Sequence, residues 1–115
     1  FRRVLFRSPI WTRPSAADKW RPVVIVSSDA MNRTVDRLGA GAVTVVPATS
    51  NVNWIYDFQV LLQAEQMGLA QDSKAQAEQI RIISVSRLSA ASIGAVPPES
   101  MRRLDDALRL HLALT

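Results

Sequence analysis

The first uninterrupted apolar stretch after the opening residues is Val23-Val24-Ile25-Val26. A strand with one wet face alternates apolar and polar positions, so a continuous β-branched run predicts a strand, within Trp20 to Ser28, that is buried on both faces. Asp29 is suited to cap a short helical turn running to Arg33, and Gly39 and Gly41 break the chain before a second β-rich run, Ala42 to Val46. Pro47 is expected to end that strand, because proline cannot donate to a central ladder. Ala48 to Asn53 is polar and turn-like, and Ile55 to Leu62 carries the alternation and β-branching of a third strand, with Gly68 closing the stretch after it. Asp72-Ser73-Lys74 marks a turn. Ala75 to Ile83 fits either a strand or a helix, since its Ala, Gln and Glu favour the latter.

Nearer the end, Val85 to Ala90 suits one helical turn and Ile93 to Val96 a short strand stopped by Pro97-Pro98. Pro98 fits a first helical position and Glu99 the positive end of the helix dipole. Met101, Leu104, Leu108, His111 and Leu112 then recur at helical spacing, which predicts a helix from Pro98 to about Leu112. Upstream, Pro9 to Lys19 is rich in Pro, Ser, Ala and charge and reads as a loop. Short strands followed by a terminal helix predict an α+β fold, a small barrel instead of alternating βαβ units.

Length and composition change this picture little. A chain of 115 residues, 48% hydrophobic, suits one domain able to bury a core, and the absence of cysteine removes disulfides and thiolate metal sites. A reducing compartment fits the lack of cysteine, so the cytoplasm is the default expectation, and the apolar runs fall short of the roughly 18 residues of a membrane span. Charge needs more care, because residues 1–8, Phe1-Arg2-Arg3-Val4-Leu5-Phe6-Arg7-Ser8, resemble an in-frame translation of a sequencing-library adapter. They are expected to be a non-native scar outside the fold, with residues 9–115 forming the domain. Setting aside Arg2, Arg3 and Arg7 takes the 14 basic residues to 11 against 10 acidic ones, so the formal net charge of +4 falls to about +1. Composition by itself therefore does not establish a nucleic-acid partner.

Common catalytic signatures are missing. The sole histidine, His111, lies among the leucines of the last helix and is expected to pack, and with no cysteine no recognised metal spacing exists. Arg102, Arg103, Asp105, Asp106 and Arg109 pair at helical spacing, such as Arg102 with Asp106 and Asp105 with Arg109, as on a solvated helix face. Gly39-Ala40-Gly41 lacks the spacing of a phosphate loop, and no Gly-x-Ser-x-Gly elbow occurs.

A resemblance supplies what spacing cannot. Arg21 to Asp29 with Asn32, then Val45-Val46-Pro47-Ala48-Thr49-Ser50-Asn51, is similar to the two best-marked stretches of MazF/PemK toxins. Tyr56 to Leu62, Asp72-Ser73, Glu78-Gln79-Ile80-Arg81 and Leu104 to Leu108 continue the likeness in order, over about Trp20 to Thr115. The resemblance implies an SH3-like β-barrel of the CcdB/PemK type with a C-terminal helix, usually a homodimer. It implies a toxin that cuts single-stranded mRNA sequence-specifically without metal or other cofactor, and that a cognate antitoxin restrains.

In the implied chemistry an RNA 2′-hydroxyl attacks the adjacent phosphate, giving a cyclic phosphate and a free 5′-hydroxyl. The family's catalytic pair falls on Arg21 and Thr49, where a guanidinium beside a hydroxyl would stabilise the phosphoryl charge. Ser50, Asn51 and Phe58 would line the base-binding groove, and Gln76 and Glu78 would contact RNA. Glu78 aligns with an acidic residue proposed as base in some members, but Gln76 stands where those members carry arginine, so the general base stays open. Without the resemblance, Arg21 reads as a surface cation, Thr49 as a turn hydroxyl, Phe58 as core, and Trp54 as a contact for RNA or antitoxin or a cover for the barrel. A non-catalytic gyrase poison on the same barrel and a binding module inactivated by truncation are the alternatives. The likeness weakens before Trp20: Ile10-Trp11-Thr12 is a poor echo of the family's first strand, and Arg13 to Ala17 aligns better with the loop after that strand. The first strand is therefore expected to be lost, leaving an unpaired edge unless the adapter-like residues partly replace it, and the activity is expected to be weak or absent.

Overall fold

The computed structural model describes residues 4–9 and 20–114, with the side chains of 7–9 left aside. Its strands are β1 (Val4–Pro9), β2 (Trp20–Ile25), β3 (Ala42–Thr49), β4 (Gln59–Leu62), β5 (Ser73–Gln76), β6 (Arg81–Ser84) and β7 (Gly94–Ala95). The helices are α1 (Asp29–Leu38), α2 (Ala64–Met67) and α3 (Pro98–Leu112). All pairings are antiparallel in the order β4-β5-β3-β2-β1-β7, with β6 added beside β3. The result is a curled half-barrel carrying a C-terminal helix, an α+β architecture as expected.

β2 and β3 divide the interior. Val24 and Val26 point to one cluster with Leu5, Val46, Ala48, Val60, Leu62 and the Met101-Leu104-Ala107 stripe of α3, while Val23 and Ile25 point to the other with Val43, Val45, Ile83 and Val35 of α1. Both faces of the Val23–Ile25 run are thus dry, as its continuous apolarity predicts. α1 is longer than a turn to Arg33, and Ser28, not Asp29, caps it by accepting from the Met31 N–H at 3.3 Å. Its buried Asn32 donates to the Ser27 carbonyl at 2.8 Å and accepts from the Ser27 hydroxyl at 2.6 Å. Ser27 Oγ in turn accepts from the Thr44 N–H, tying the helix to β3.

Several expectations are corrected. β3 does not stop at Pro47 but runs to Thr49. Along its edge β6 pairs through Val45 and β5 begins at Ala48, so Pro47 falls at the handover, where no ladder needs its missing N–H. Ser73 and Lys74 belong to a strand, not a turn, and β4 begins only at Gln59. The ambiguous 75–83 region breaks into the end of β5, a 3-10 turn at Ala77–Gln79 and β6. α2 had no expectation. Gly68, at φ +75, and Gly94 allow its end to pass β7 closely, since a Cβ on Gly94 would overlap the Met67 carbonyl. α3 ends as expected, but His111 and Leu112 are exposed, and the observed ion pairs include Arg103–Glu99 at 3.2 Å and Arg109–Asp106 at 2.7 Å.

The first strand is present. Of residues 1–8, expected to lie outside the fold, residues 4–8 belong with Pro9 to a strand that pairs with β2 from Leu5↔Val24 to Pro9↔Trp20 and with β7 through Val4 and Leu5. The physical reason is the alternation of Leu5 and Phe6, which sends Leu5 into the cluster under α3 and Phe6 towards the cluster under α1. Ile10-Trp11-Thr12, Pro14, Ala16 and the 13–17 loop lie outside the described residues. Because Leu5 is fully buried, Leu5→Ala is expected to lower unfolding stability by about 2 to 5 kcal/mol in urea titration. A loss below about 0.5 kcal/mol, the scale of a surface substitution, would show that β1 is not part of the folded unit.

Candidate active site

The registers carry the polar positions onto one face. In the β2–β3 ladder Val23 stands opposite Pro47. Arg21 lies two residues before Val23 and Thr49 two after Pro47, so they leave the same end of the ladder on the same side of the sheet. Arg21 lines a cleft of about 220 Å³ together with Trp20, Ala48, Ser50, Gln71 and Ser73; Thr49 is not among its lining residues. The guanidinium is half-buried, and its Nε finds no hydrogen-bond partner among the described residues. Thr49 is half-buried too. Its Oγ1 accepts from the Asn51 N–H at 3.3 Å, the local turn role, and keeps its own hydrogen to donate. Asn51 repeats the pattern, its Oδ1 accepting from the Asn53 N–H, while Ser50 is exposed in the cleft.

β5 extends this face. Lys74 stands opposite Thr49 on one side and Leu61 on the other, and Gln76, two residues on, stands opposite Gln59. Side chains two apart on a strand share a face at a spacing of about 7 Å, so Gln76 lies along the same side as Lys74. Gln59 is 8% exposed and bridges the loop before β4 to the turn after β5. Its Oε1 accepts from the Tyr56 N–H at 3.0 Å, and its Nε2 donates to Glu78 Oε2 at 2.8 Å. Glu78 sits on the 3-10 turn, and its second carboxylate oxygen is buried without a hydrogen-bond partner among the described residues.

Above Gln59 the loop from Ser50 to Phe58 carries three aromatic rings. Phe58 is half-buried and stacks on Tyr56, with centroids 5.2 Å apart and planes 6° apart, and exposed Trp54 meets Tyr56 edge-on at 6.1 Å. The registers place Arg21 and Thr49 at one end of the β2–β3–β5 sheet and Gln76 and Glu78 towards the other, with Ser50 in the cleft that Arg21 lines. Lys74 lies between them, and Phe58 stands within an aromatic strip at the side. Sequence reasoning does not single out Lys74, which it reads as part of a turn, or Gln59 and Tyr56, which it reads as part of a strand from Ile55 to Leu62. The only signal for Gln59 was a polar residue interrupting an apolar run.

Chemically, the face offers a cation, a hydroxyl donor, a second cation and a carboxylate beside flat rings, a set suited to a phosphodiester and its bases. Among the described residues no three His, Asp or Glu side chains cluster as cation ligands. No helix among them is long and apolar enough to cross a membrane.

Comparison with known proteins identifies the family and the fold. The sequence model of the PemK-like, MazF-like toxins of type II toxin-antitoxin systems matches residues 6–112. The chain is 50% identical over 114 residues to "Endoribonuclease MazF9" of Mycobacterium tuberculosis, covering 94% of this chain and 96% of that protein. Its fold is similar to that of the Mycobacterium tuberculosis toxin MazF-mt6, with a TM-score of 0.79 at 24% identity over 98% and 99% of the two chains. It is also similar to a mycobacterial endoribonuclease solved with its cognate antitoxin, with a TM-score of 0.76 at 22% identity over 100% and 96%.

The bond from Gln59 to both the loop and Glu78 is open to test. Gln59→Leu is expected to leave both oxygens of Glu78 unpartnered and to cost about 1 to 3 kcal/mol of stability. Hydrogen exchange of the Tyr56 amide should accelerate more than that of the β2 core amides. Unchanged Tyr56 protection would show that the loop does not depend on this side chain.

Proposed function

The chain belongs to the PemK-like, MazF-like toxins of type II toxin-antitoxin systems, and we propose that it cleaves single-stranded RNA at the face running from Arg21 and Thr49 to Glu78. It is an endoribonuclease toxin, as its half-identity to a named endoribonuclease over nearly its whole length assigns.

What supports this reading is the β2–β3 register, which brings the Arg21 end of β2 alongside the Thr49 end of β3 from positions distant in sequence. In-line attack of a 2′-hydroxyl oxygen on the neighbouring phosphorus breaks the bond to the 5′-oxygen, which leaves with a proton as a 5′-hydroxyl. The other product is a 2′,3′-cyclic phosphate. Negative charge grows on the non-bridging oxygens on the way. A half-buried guanidinium whose Nε–H has no partner among the described residues, at the same end of the β2–β3 ladder as a threonine hydroxyl that keeps its own hydrogen, would receive that charge. Arginine is too weak an acid at neutral pH to serve as base, so Arg21 acts electrostatically. Ser50 and Asn51 line the groove, Phe58 with Tyr56 offers a stacking surface for an unstacked base, and Gln76 and Glu78 present edges for hydrogen bonding.

This chemistry also implies the partners. RNA is the substrate, and a cognate antitoxin is the protein that restrains the toxin by covering this groove. The assembly we propose is a homodimer, to which the exposed Leu61 and Leu110, lining one groove between β4 and α3, offer apolar surface. The cytoplasm, where mRNA is found, is the proposed compartment.

Incubation of the chain with single-stranded RNA in EDTA is expected to give fragments ending in cyclic phosphate and 5′-hydroxyl. Arg21→Ala and Thr49→Ala are each expected to slow cleavage by about 10² to 10³-fold while circular dichroism and melting stay near wild type. Cutting at the wild-type rate by either folded variant would remove that residue from the chemistry.

A further inference from the structure

Lys74 is 8% exposed, yet among the described residues no carboxylate pairs with it. Its ammonium donates to the Trp54 carbonyl at 2.6 Å. An ammonium carries three donors and a full charge, so one neutral carbonyl is poor compensation for taking it out of water. The penalty is most simply offset by an anion that arrives with a ligand.

The surroundings identify the anion's chemistry. Lys74 stands directly across β3–β5 from Thr49, which shares its sheet face with Arg21, and directly across β4–β5 from Leu61. The carbonyl that it holds belongs to Trp54, the first ring of the Trp54–Tyr56–Phe58 strip. One side chain therefore joins the phosphate end of the groove to its aromatic wall.

We propose that Lys74 is an RNA-backbone-binding residue: its ammonium takes a phosphate adjacent to the scissile one, while its bond to Trp54 sets the distance from that phosphate to the aromatic strip. A compact ammonium suits this task, since it meets phosphate oxygens as a point charge without fixing their orientation. The proposal rests on the nuclease reading above and adds to it a second cationic contact one nucleotide away.

The test uses the intact chain and an RNA oligonucleotide spanning a cleavage site mapped on an mRNA transcript. Its attacking 2′-hydroxyl is replaced by hydrogen, so that it binds without being cut. Affinity is measured across a salt series for wild type, Lys74→Gln and Lys74→Arg. Glutamine removes the charge yet can still donate to the Trp54 carbonyl, which separates phosphate binding from loop support. Counterion release predicts that loss of one single-strand phosphate contact reduces the magnitude of the log K against log salt slope by about 0.7. Lys74→Gln is expected to show that reduction, with roughly tenfold weaker binding at low salt and a KM raised about tenfold while kcat changes less than about threefold. Lys74→Arg is expected to restore the slope. A wild-type slope in Lys74→Gln overturns the proposal and reduces Lys74 to a prop for the loop. If the wild type cuts the transcript and the slopes coincide, this proposal alone fails; if the wild type cuts no RNA, the nuclease reading fails and takes this proposal with it.

Discussion

The burial of β2 and β3 on both faces is the constraint on which the rest of the molecule depends. Val23 and Ile25 are locked into the cluster beneath α1, Val24 and Val26 into the cluster beneath α3, and on β3 Val45 and Val46, opposite Ile25 and Val24, divide in the same way. A slip of one residue would send every one of these side chains to the opposite face, so the register is fixed by two cores at once. Arg21 and Thr49 inherit their places from that lock. Neither needs a direct bond to the other to be held at the same end of the ladder.

The opposite requirement governs the polar face. Native interiors satisfy nearly all buried polar groups, yet here Arg21 Nε and one oxygen of Glu78 are buried without partners among the described residues. Such atoms weaken the free protein and gain from anything that pairs with them. Gln59 limits the loss by joining Tyr56 and Glu78, which holds the aromatic loop near the carboxylate. The groove is thereby preorganised where geometry matters and left unsatisfied where a ligand would bind.

β1 illustrates how far packing can override expectation. An odd opening sequence and a weak family likeness before Trp20 pointed to a lost strand, yet Leu5 and Phe6 alternate correctly for a strand between two cores. The ladder of β2 accepts residues that can bury an apolar side chain on each face, and those residues have that pattern. An edge that would have been open is thus paired, with β7 beyond it.

By itself the sequence determined the elements whose residues carry their own instructions. The Val23–Ile25 strand, the α3 limits at Pro98 and Leu112 and the break after α1 at Gly39 all follow from apolar period, proline and glycine. The candidate pair Arg21 and Thr49 was legible only through a family likeness, because an arginine and a threonine 28 positions apart have no local signature. Only the tertiary structure decided that β3 continues through Pro47, that Ser73–Gln76 is a strand, and that Lys74, Gln59 and Tyr56 join the site. Each of these depends on a partner distant in the chain: the handover from β6 to β5 beside Pro47, the β3–β5 ladder, and a glutamine amide bridging two loops. Strand pairing and hydrogen bonding between remote residues are decided by which surfaces meet, and no window of the sequence contains both surfaces.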